Sequence, residues 1–362
     1  MTLFENQRSK RNSGRRGIGL ALLAFVVLIG VLALGFLPTP YVIERPGPAV
    51  NVLGSSAGKP VISVTGADSY STSGALDLLT VSIVGNRDQT PNWAEIFGAW
   101  LDPAQNVVPL DEIYPAGQTV EQSNAESTAM MEQSQQNAIY VALHNLNYKI
   151  PEHIYVSEVT KNMPSAGKIV AGDYVESING THPADIDAMR ALVQAYDGKH
   201  PLTVVVLRSG VKKTVSITPK KNAEGRTVLG VLVGTKFDFP IKVNLQLSDI
   251  GGPSGGMIFA LGIYDQLTQG ELTGGANIAG TGTIDIDGTV GSIGGIQQKM
   301  YGAQRAGAKY FLAPADNCNE VNGHIPSGIQ VFRVKTFSDA LTAVKAIASK
   351  ANLSTLATCA SK

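Results

Sequence analysis

The sequence predicts an α+β multidomain chain behind one N-terminal transmembrane helix. Three observations carry this expectation. Residues 18–37, IGLALLAFVVLIGVLALGFL, contain no charged side chain, and about twenty apolar residues suffice for a helix to cross the hydrocarbon core. Runs at 61–65, 76–84, 153–159, 174–178 and 202–218 are rich in β-forming residues, as strands are. Residues 121–145 and 184–196 instead carry apolar side chains at helical spacing, which predicts two helices.

Arg8, Lys10, Arg11, Arg15 and Arg16 precede the apolar block, against the single acid Glu5. Lys/Arg-rich flanks stay on the cytoplasmic side. The expectation is therefore a single-pass cell-membrane protein with a cytoplasmic tail over 1–17 and the remainder extracytoplasmic. A cleaved signal peptide is the competing reading. Its apolar region would be about 7–15 residues long and end in a small-x-small site, whereas this one ends in Gly-Phe-Leu-Pro.

Beyond position 16 there are 24 basic and 28 acidic residues, and the whole chain is neutral. That balance excludes an electrostatic nucleic-acid binder, which shows a basic patch or domain. There is no HExxH helix, so no metal is expected. The stretch GSSAGKP at 54–60 has the wrong spacing for a phosphate-binding P-loop and a proline where Ser or Thr would stand. No cofactor is expected either. Cys318 and Cys359 either pair in an oxidising compartment or remain two free thiols.

In order, residues 38–145 read as a membrane-proximal β-rich region ending in the 121–145 helix, with 85–118 irregular. In that helix Met130, Ser134, Ala138, Val141 and Ala142 share a face. The next unit, 146–222, has a strand at 153–159, Ser165-Ala166-Gly167, and Gly172-Asp173 before a strand. Ile178-Asn179-Gly180 then forms a strong turn, followed by a helix and a hairpin turning at Ser209-Gly210. These residues resemble a PDZ domain of the bacterial protease-associated type. The resemblance implies peptide or protein binding by strand addition, in a groove between 153–159 and 185–196. Lys149-Ile150-Pro151-Glu152 stands where the family has its carboxylate-binding loop.

The candidate chemistry begins at GGPSGGMIFALG, residues 251–262. Ser254 precedes Met257, Ala260, Leu261, Tyr264 and Leu267 at helical spacing. It reads either as a plain helix N-cap or as a nucleophile whose oxyanion is held by free N–H groups near the helix start. A nucleophilic serine needs a base, and none of the five histidines sits in a triad motif. A lysine offers an alternative. Residues 296–306 predict a helix closed by Gly307, with Ile296, Lys299, Met300, Ala303 and Ala306 on one face and Gln297, Gln298, Tyr301, Gln304 and Arg305 on the other. A lysine on an apolar face either snorkels or is buried with a lowered pKa, which makes it a competent base. Between the two, Thr281 lies in a Gly-Thr-Gly turn, and a hairpin turning at Asp287-Gly288 leads to the lysine helix.

Taken together, Gly252-Pro253-Ser254-Gly255-Gly256-Met257, Gly280-Thr281-Gly282, Gly288-x-Val290-x-x-Ile293-Gly294-Gly295, Lys299 and Arg305-Ala306-Gly307-Ala308 closely resemble the proteolytic domain of Lon-type proteases, over 226–348. The resemblance implies Ser254 as nucleophile, Lys299 as general base, Thr281 as supporting hydroxyl and oxyanion groups at Gly252 and Gly255. Gly251 and Thr283 stand where that family has acids. With the anchor, the PDZ-like unit and no ATPase, the chain resembles membrane-anchored PDZ–Lon proteases. It is expected to cleave peptides or proteins without ATP, with the possibility of a homo-oligomer, ahead of a C-terminal tail over 349–362. The alternative is a catalytically silent scaffold that binds through the PDZ-like groove.

Overall fold

The computed structural model describes residues 37–247 and 251–359, together with Ile18, Leu22, Phe25–Val27, Ile29, Gly30 and Gly35. It corrects the expected transmembrane helix, and with it the single-pass membrane placement. Among the described residues, no helix is long and apolar enough to cross a membrane. The composition of 18–37 meets the hydropathy requirement, but only some of its positions are described. The rest of that stretch, and the basic tail over 1–17, lie outside the described residues.

The chain divides into two units. The first comprises residues 1–63, 69–138 and 245–362, and the second 64–68 and 139–244. The second unit is thus inserted into the first, rather than following it as the sequential division expects.

The first unit opens with β1 (Tyr41–Asn51) and β2 (Ala75–Val84), which pair antiparallel. The register breaks between Pro46 and Ala49. Prolines cannot donate to a ladder, and Pro46 and Pro48 lie beyond the stretch of β1, Tyr41–Glu44, that pairs with β3. Helix α1 (Trp93–Trp100) falls where an irregular segment was expected. Its signal is local. Asn92 caps it, and Glu95 reaches back to the Asn92 N–H to complete a capping box. Strand β3 (Asn106–Pro109) follows, then helix α2 (Val120–Asn145), of which the residues up to Ala138 belong to this unit. On α2, Met131, Ser134, Ala138, Val141 and Ala142 are buried, while Met130 is exposed.

The second unit is an antiparallel sheet of β4 (Glu152–Val159), β5 (Tyr174–Ile178), β6 (Leu202–Arg208), β7 (Val211–Ile217) and β8 (Val231–Phe237), with α3 (Ile186–Gln194) between β5 and β6 in the chain. Strand order is β7-β6-β5-β4-β8. Asn179 and Gly180, and again Ser209 and Gly210, adopt positive φ, as two-residue hairpin turns require. The core gathers Ile154, Val156, Ile178, Met189, Val204 and Val206.

The chain then returns to the first unit through α4 (Gly256–Gln266), β9 (Asn277–Gly280), the short pair β10 (Thr283–Ile284) and β11 (Val290–Gly291), α5 (Ile296–Arg305), β12 (Tyr310–Pro314), β13 (Gln330–Val334) and α6 (Phe337–Ala348). The main sheet runs β13-β12-β9-β2-β1-β3. β2, β9, β12 and β13 run parallel to one another, whereas β1 is antiparallel to β2 and β3. This corrects the α+β expectation: the unit is mixed α/β. Leu79 packs with Ile296 and Met300 of α5. Its neighbour Leu78 meets Gly255 at the start of α4. Adjacent strand residues point to opposite faces, so the sheet is covered on both sides. Strands from 41–109 thus complete a sheet whose other half comes from 277–334.

Cys318 and Cys359 form a disulfide with an S–S distance of 2.05 Å. The segment expected as a tail is therefore tied down. The Arg333 N–H also donates to the Ala357 carbonyl.

Candidate active site

Ser254 is not a helix cap. The cap position is Gly255, which makes no side-chain hydrogen bond, and α4 begins at Gly256. Packing explains the two glycines after the serine. A Cβ on Gly255 would lie 2.3 Å from Leu78 Cδ1, and one on Gly256 would lie 2.6 Å from Ser134 Oγ and 3.1 Å from the Ile284 backbone N. Only glycine lets α4 start this close to β2 and α2.

Helix α2 also clamps the turn before the serine. Ser134 Oγ donates to the Pro253 carbonyl at 2.7 Å, and the Gly252 N–H donates to the Ser127 carbonyl at 3.0 Å. The second bond corrects one expectation: the Gly252 N–H is already engaged and is not free for an oxyanion. At Ser254 and Gly255, no backbone acceptor is found for the N–H among the described residues.

Lys299 lies one turn into α5, on the buried side, and is 3% exposed. Ile296, Met300 and Ala303 surround it as the helical period predicts, but Ala306 is exposed and Gln298 is buried. The helix ends at Gly307 with φ +80°. The Gly307 N–H donates to Gln304 and the Ala308 N–H to Ala303, the glycine-dependent C-terminal motif.

The structure brings Ser254, Thr281 and Lys299 together. Lys299 Nζ lies 2.8 Å from Ser254 Oγ and 3.2 Å from Thr281 Oγ1. Thr281 Oγ1 donates its own proton to the Ser254 carbonyl at 3.1 Å, and the Gly282 N–H donates to the same carbonyl at 2.8 Å. With its proton committed, Thr281 accepts from the amine. That leaves the lone pair of a neutral amine for the Ser254 hydroxyl. Burial pulls the Lys299 pKa down to about 8, and the Glu44 carboxylate partly opposes it.

Around the pair lies a cavity of about 370 Å³, bounded by Glu44, Pro48, Thr80–Ser82, Gly251, Pro253 and Gly294. Sequence reasoning missed Glu44 and the Thr80–Ser82 segment. The only local trace of Glu44 is a carboxylate in the β-forming run YVIE, which by itself signals nothing. Cys318 and Cys359 are paired through their disulfide, away from this cavity's lining. Among the described residues no cluster of His, Cys, Asp or Glu can hold a metal ion.

In the second unit the expected groove shifts by one strand. β4 (152–159) is interior, flanked by β5 and β8, and the sheet edge on that side belongs to β8. A cavity of about 450 Å³ lies between β8 and α3, bordered by Met163, Met189, Val193, Leu229 and Leu232. The loop leading into that edge is Val228-Leu229-Gly230-Val231, with Gly230 at φ +80°. Lys149–Glu152 instead leads into the interior strand. The displacement arises because an edge can be identified only after all five strands are ordered.

The first unit is therefore a mixed α/β fold holding a serine against a buried lysine amine. Residues 241–347 match the Lon protease (S16) C-terminal proteolytic domain, so this part of the chain is similar to that domain. The chain is 33% identical over 132 residues to Lon protease 2 of Bacillus subtilis, covering 35% of this chain and 23% of that protein. It is 32% identical over 109 residues to the Lon protease of Buchnera aphidicola from Schizaphis graminum, covering 29% and 14%. The chain thus spans less than a quarter of the length of these relatives. Among solved structures it is similar to the PDZ domain of an SdrC-like protein from Listeria monocytogenes, at 16% identity and a TM-score of 0.21, covering 22% of this chain and 85% of that one. A Geobacillus thermodenitrificans structure, GtR34C, is similar at 24% identity and a TM-score of 0.21, covering 22% and 94%.

Proposed function

We propose that this chain is an ATP-independent serine endopeptidase in which Ser254 is the nucleophile and Lys299 the general base. The observation that carries this reading is the 2.8 Å approach of a buried amine, its pKa lowered to about 8, to a serine hydroxyl. Neutral Lys299 takes the Ser254 proton as Oγ adds to the scissile carbonyl. The ammonium then returns the proton to the leaving amine, and water, deprotonated by the same amine, releases the acyl group. The N–H groups of Ser254 and Gly255 hold the oxyanion. Thr281 orients the amine.

Substrate enters as an extended segment. β9 pairs only with Ala75–Leu78 of β2. On that side the Thr80–Ser82 segment, which borders the cavity, has no β9 partner and offers its edge to a peptide backbone. The β8–α3 groove recruits peptide by the same strand addition, with the Gly230 loop receiving a chain end. Nucleotide independence is supported by GSSAGKP. There Ser55–Ser56 pairs with Lys59–Pro60 as a small hairpin, and a phosphate loop would need a strand-to-helix turn.

The test is cleavage of an unfolded protein without nucleotide by the full chain, Ser254→Ala and Lys299→Met. Cleavage is expected from the full chain alone, and its rate rises with pH through about 8 as the amine loses its proton. Undiminished cleavage by Ser254→Ala would remove the nucleophile assignment.

A further inference from the structure

The hydrogen-bond partners of the Lys299 amine are two hydroxyls, yet one buried acid shares its cavity. Glu44 on β1 is 8% exposed and borders the cavity that holds Ser254 and Lys299. On β1, Ile43 packs with Ile96 and Ala99 of α1. Strand alternation turns Glu44 to the opposite face, toward α5. Asn106 Nδ2 on β3 donates to Glu44 Oε2 at 3.1 Å. The other carboxylate oxygen has no hydrogen-bond partner among the described residues. At position 251, three residues before Ser254, a Cβ would lie 2.4 Å from Ser127 Oγ and 3.2 Å from Ser127 Cβ, so a side chain there requires Ser127 to shift.

We propose that Glu44 is a positioning residue for proton transfer, its carboxylate stabilising across the cavity the ammonium that Lys299 becomes when it takes the Ser254 proton. The proposal rests on the Ser254–Lys299 reading. In the step, the Ser254 O–H bond breaks, an N–H bond forms on Lys299, and the serine oxygen bonds to the substrate carbonyl carbon. The positive charge that appears on Lys299 is matched by the standing negative charge of Glu44, which neither gains nor loses a proton.

The elements packed against α5 carry Tyr41, Glu44 and Arg45 on β1, Asp77 on β2, Tyr310 on β12 and Glu320 on the short helix after β12. Of these, only Glu44 acts on the amine as a charge; burial lowers the Lys299 pKa and Glu44 raises it. Glu44 itself is pushed up by burial and by the nearby Glu112 and Glu320 charges, against the Asn106 hydrogen bond and Lys299. Removing the Glu44 charge leaves burial unopposed. The amine then releases its proton at lower pH and becomes a weaker base. A residue that merely packed the cavity would leave that midpoint where it is.

The experiment is an NMR titration of the Lys299 side chain in the full chain, with the signal assigned by its loss in Lys299→Arg. Wild type is expected to titrate near 8. Glu44→Gln keeps the shape and can still accept the Asn106 bond, and it should raise the acid dissociation constant of the amine by about tenfold. Glu44→Asp keeps the charge and falls between the two. Thermal unfolding checks that each variant is folded. The acid limb of kcat/KM for cleavage of an unfolded protein should move with the titration. An unmoved or raised Lys299 midpoint in Glu44→Gln overturns the proposal. Since the titration needs no turnover, its result stands apart from that of Ser254→Ala, which tests the protease reading.

Discussion

Two buried charges in this chain are handled in opposite ways. In the inserted unit, Asp173 is fully buried, and Arg208 grips both carboxylate oxygens at 2.7 Å. Its pKa is held below the usual carboxylate range, chiefly by the Arg208 hydrogen bonds. In the other unit, Lys299 is equally buried but is held by hydroxyls, and its pKa falls to about 8. A bidentate guanidinium fixes a charge in place. Hydroxyls solvate an amine without committing its proton. Burial with a matched partner makes a structural pin, whereas burial without one makes a group poised to exchange a proton near neutral pH.

The largest expected effect breaks the functional half of this contrast. Lys299→Arg keeps a cation that cannot deprotonate, so cleavage of an unfolded protein should fall by about 10²–10⁴-fold. Turnover near wild type would show that another base serves Ser254. The structural half is broken by Arg208→Met, which leaves Asp173 buried and unmatched. That should destabilise the inserted unit, by less than a fully enclosed pair would because Arg208 is 27% exposed. Hydrogen exchange of the amides in β4–β8 reads this loss. Unchanged protection would deny the pin.

The same logic predicts a gain at Lys299. Its folded pKa lies below its unfolded value, so the ionised lysine costs stability at pH values below about 8, and the cost vanishes above about 10.5. Lys299→Met should therefore stabilise the protein by about 2 kcal/mol at pH 7 while abolishing activity. Calorimetry at pH 7 and pH 10 checks that the gain shrinks as pH rises.

The smallest effect concerns Asp77 on β2, whose pKa burial raises to about 6. An acid raised on folding is harmless below about pH 4, and stability is lost as pH rises from about 4 through 6. Asp77→Asn should gain about 1–2 kcal/mol at pH 7.5 and nothing at pH 4. A gain independent of pH would assign the effect to packing rather than charge.

Ser254, Thr281 and Lys299 were legible because each sits in a glycine-marked turn or a helical period that survives in one dimension. The inserted unit was legible element by element, since its hairpin turns at Asn179-Gly180 and Ser209-Gly210 declare themselves locally. Its groove was misplaced by one strand, because edge status belongs to the whole sheet. The Gly252 donor was misassigned for a similar reason: its partner, Ser127, lies on a helix that nothing in the local sequence connects to the turn.

The sequence by itself determined the turn at Ser254, the apolar helix face of Lys299 and the run of strands and helices, all of which follow from glycine conformational freedom and from side-chain period. Only the tertiary structure decided that β1 and β2 complete the sheet around the site. It also put Ser134 and Ser127 in place as the clamp on the turn, and Glu44 in the cavity of Lys299. These depend on contacts between segments more than a hundred residues apart, and the field at a buried amine is set by whatever folding brings near it.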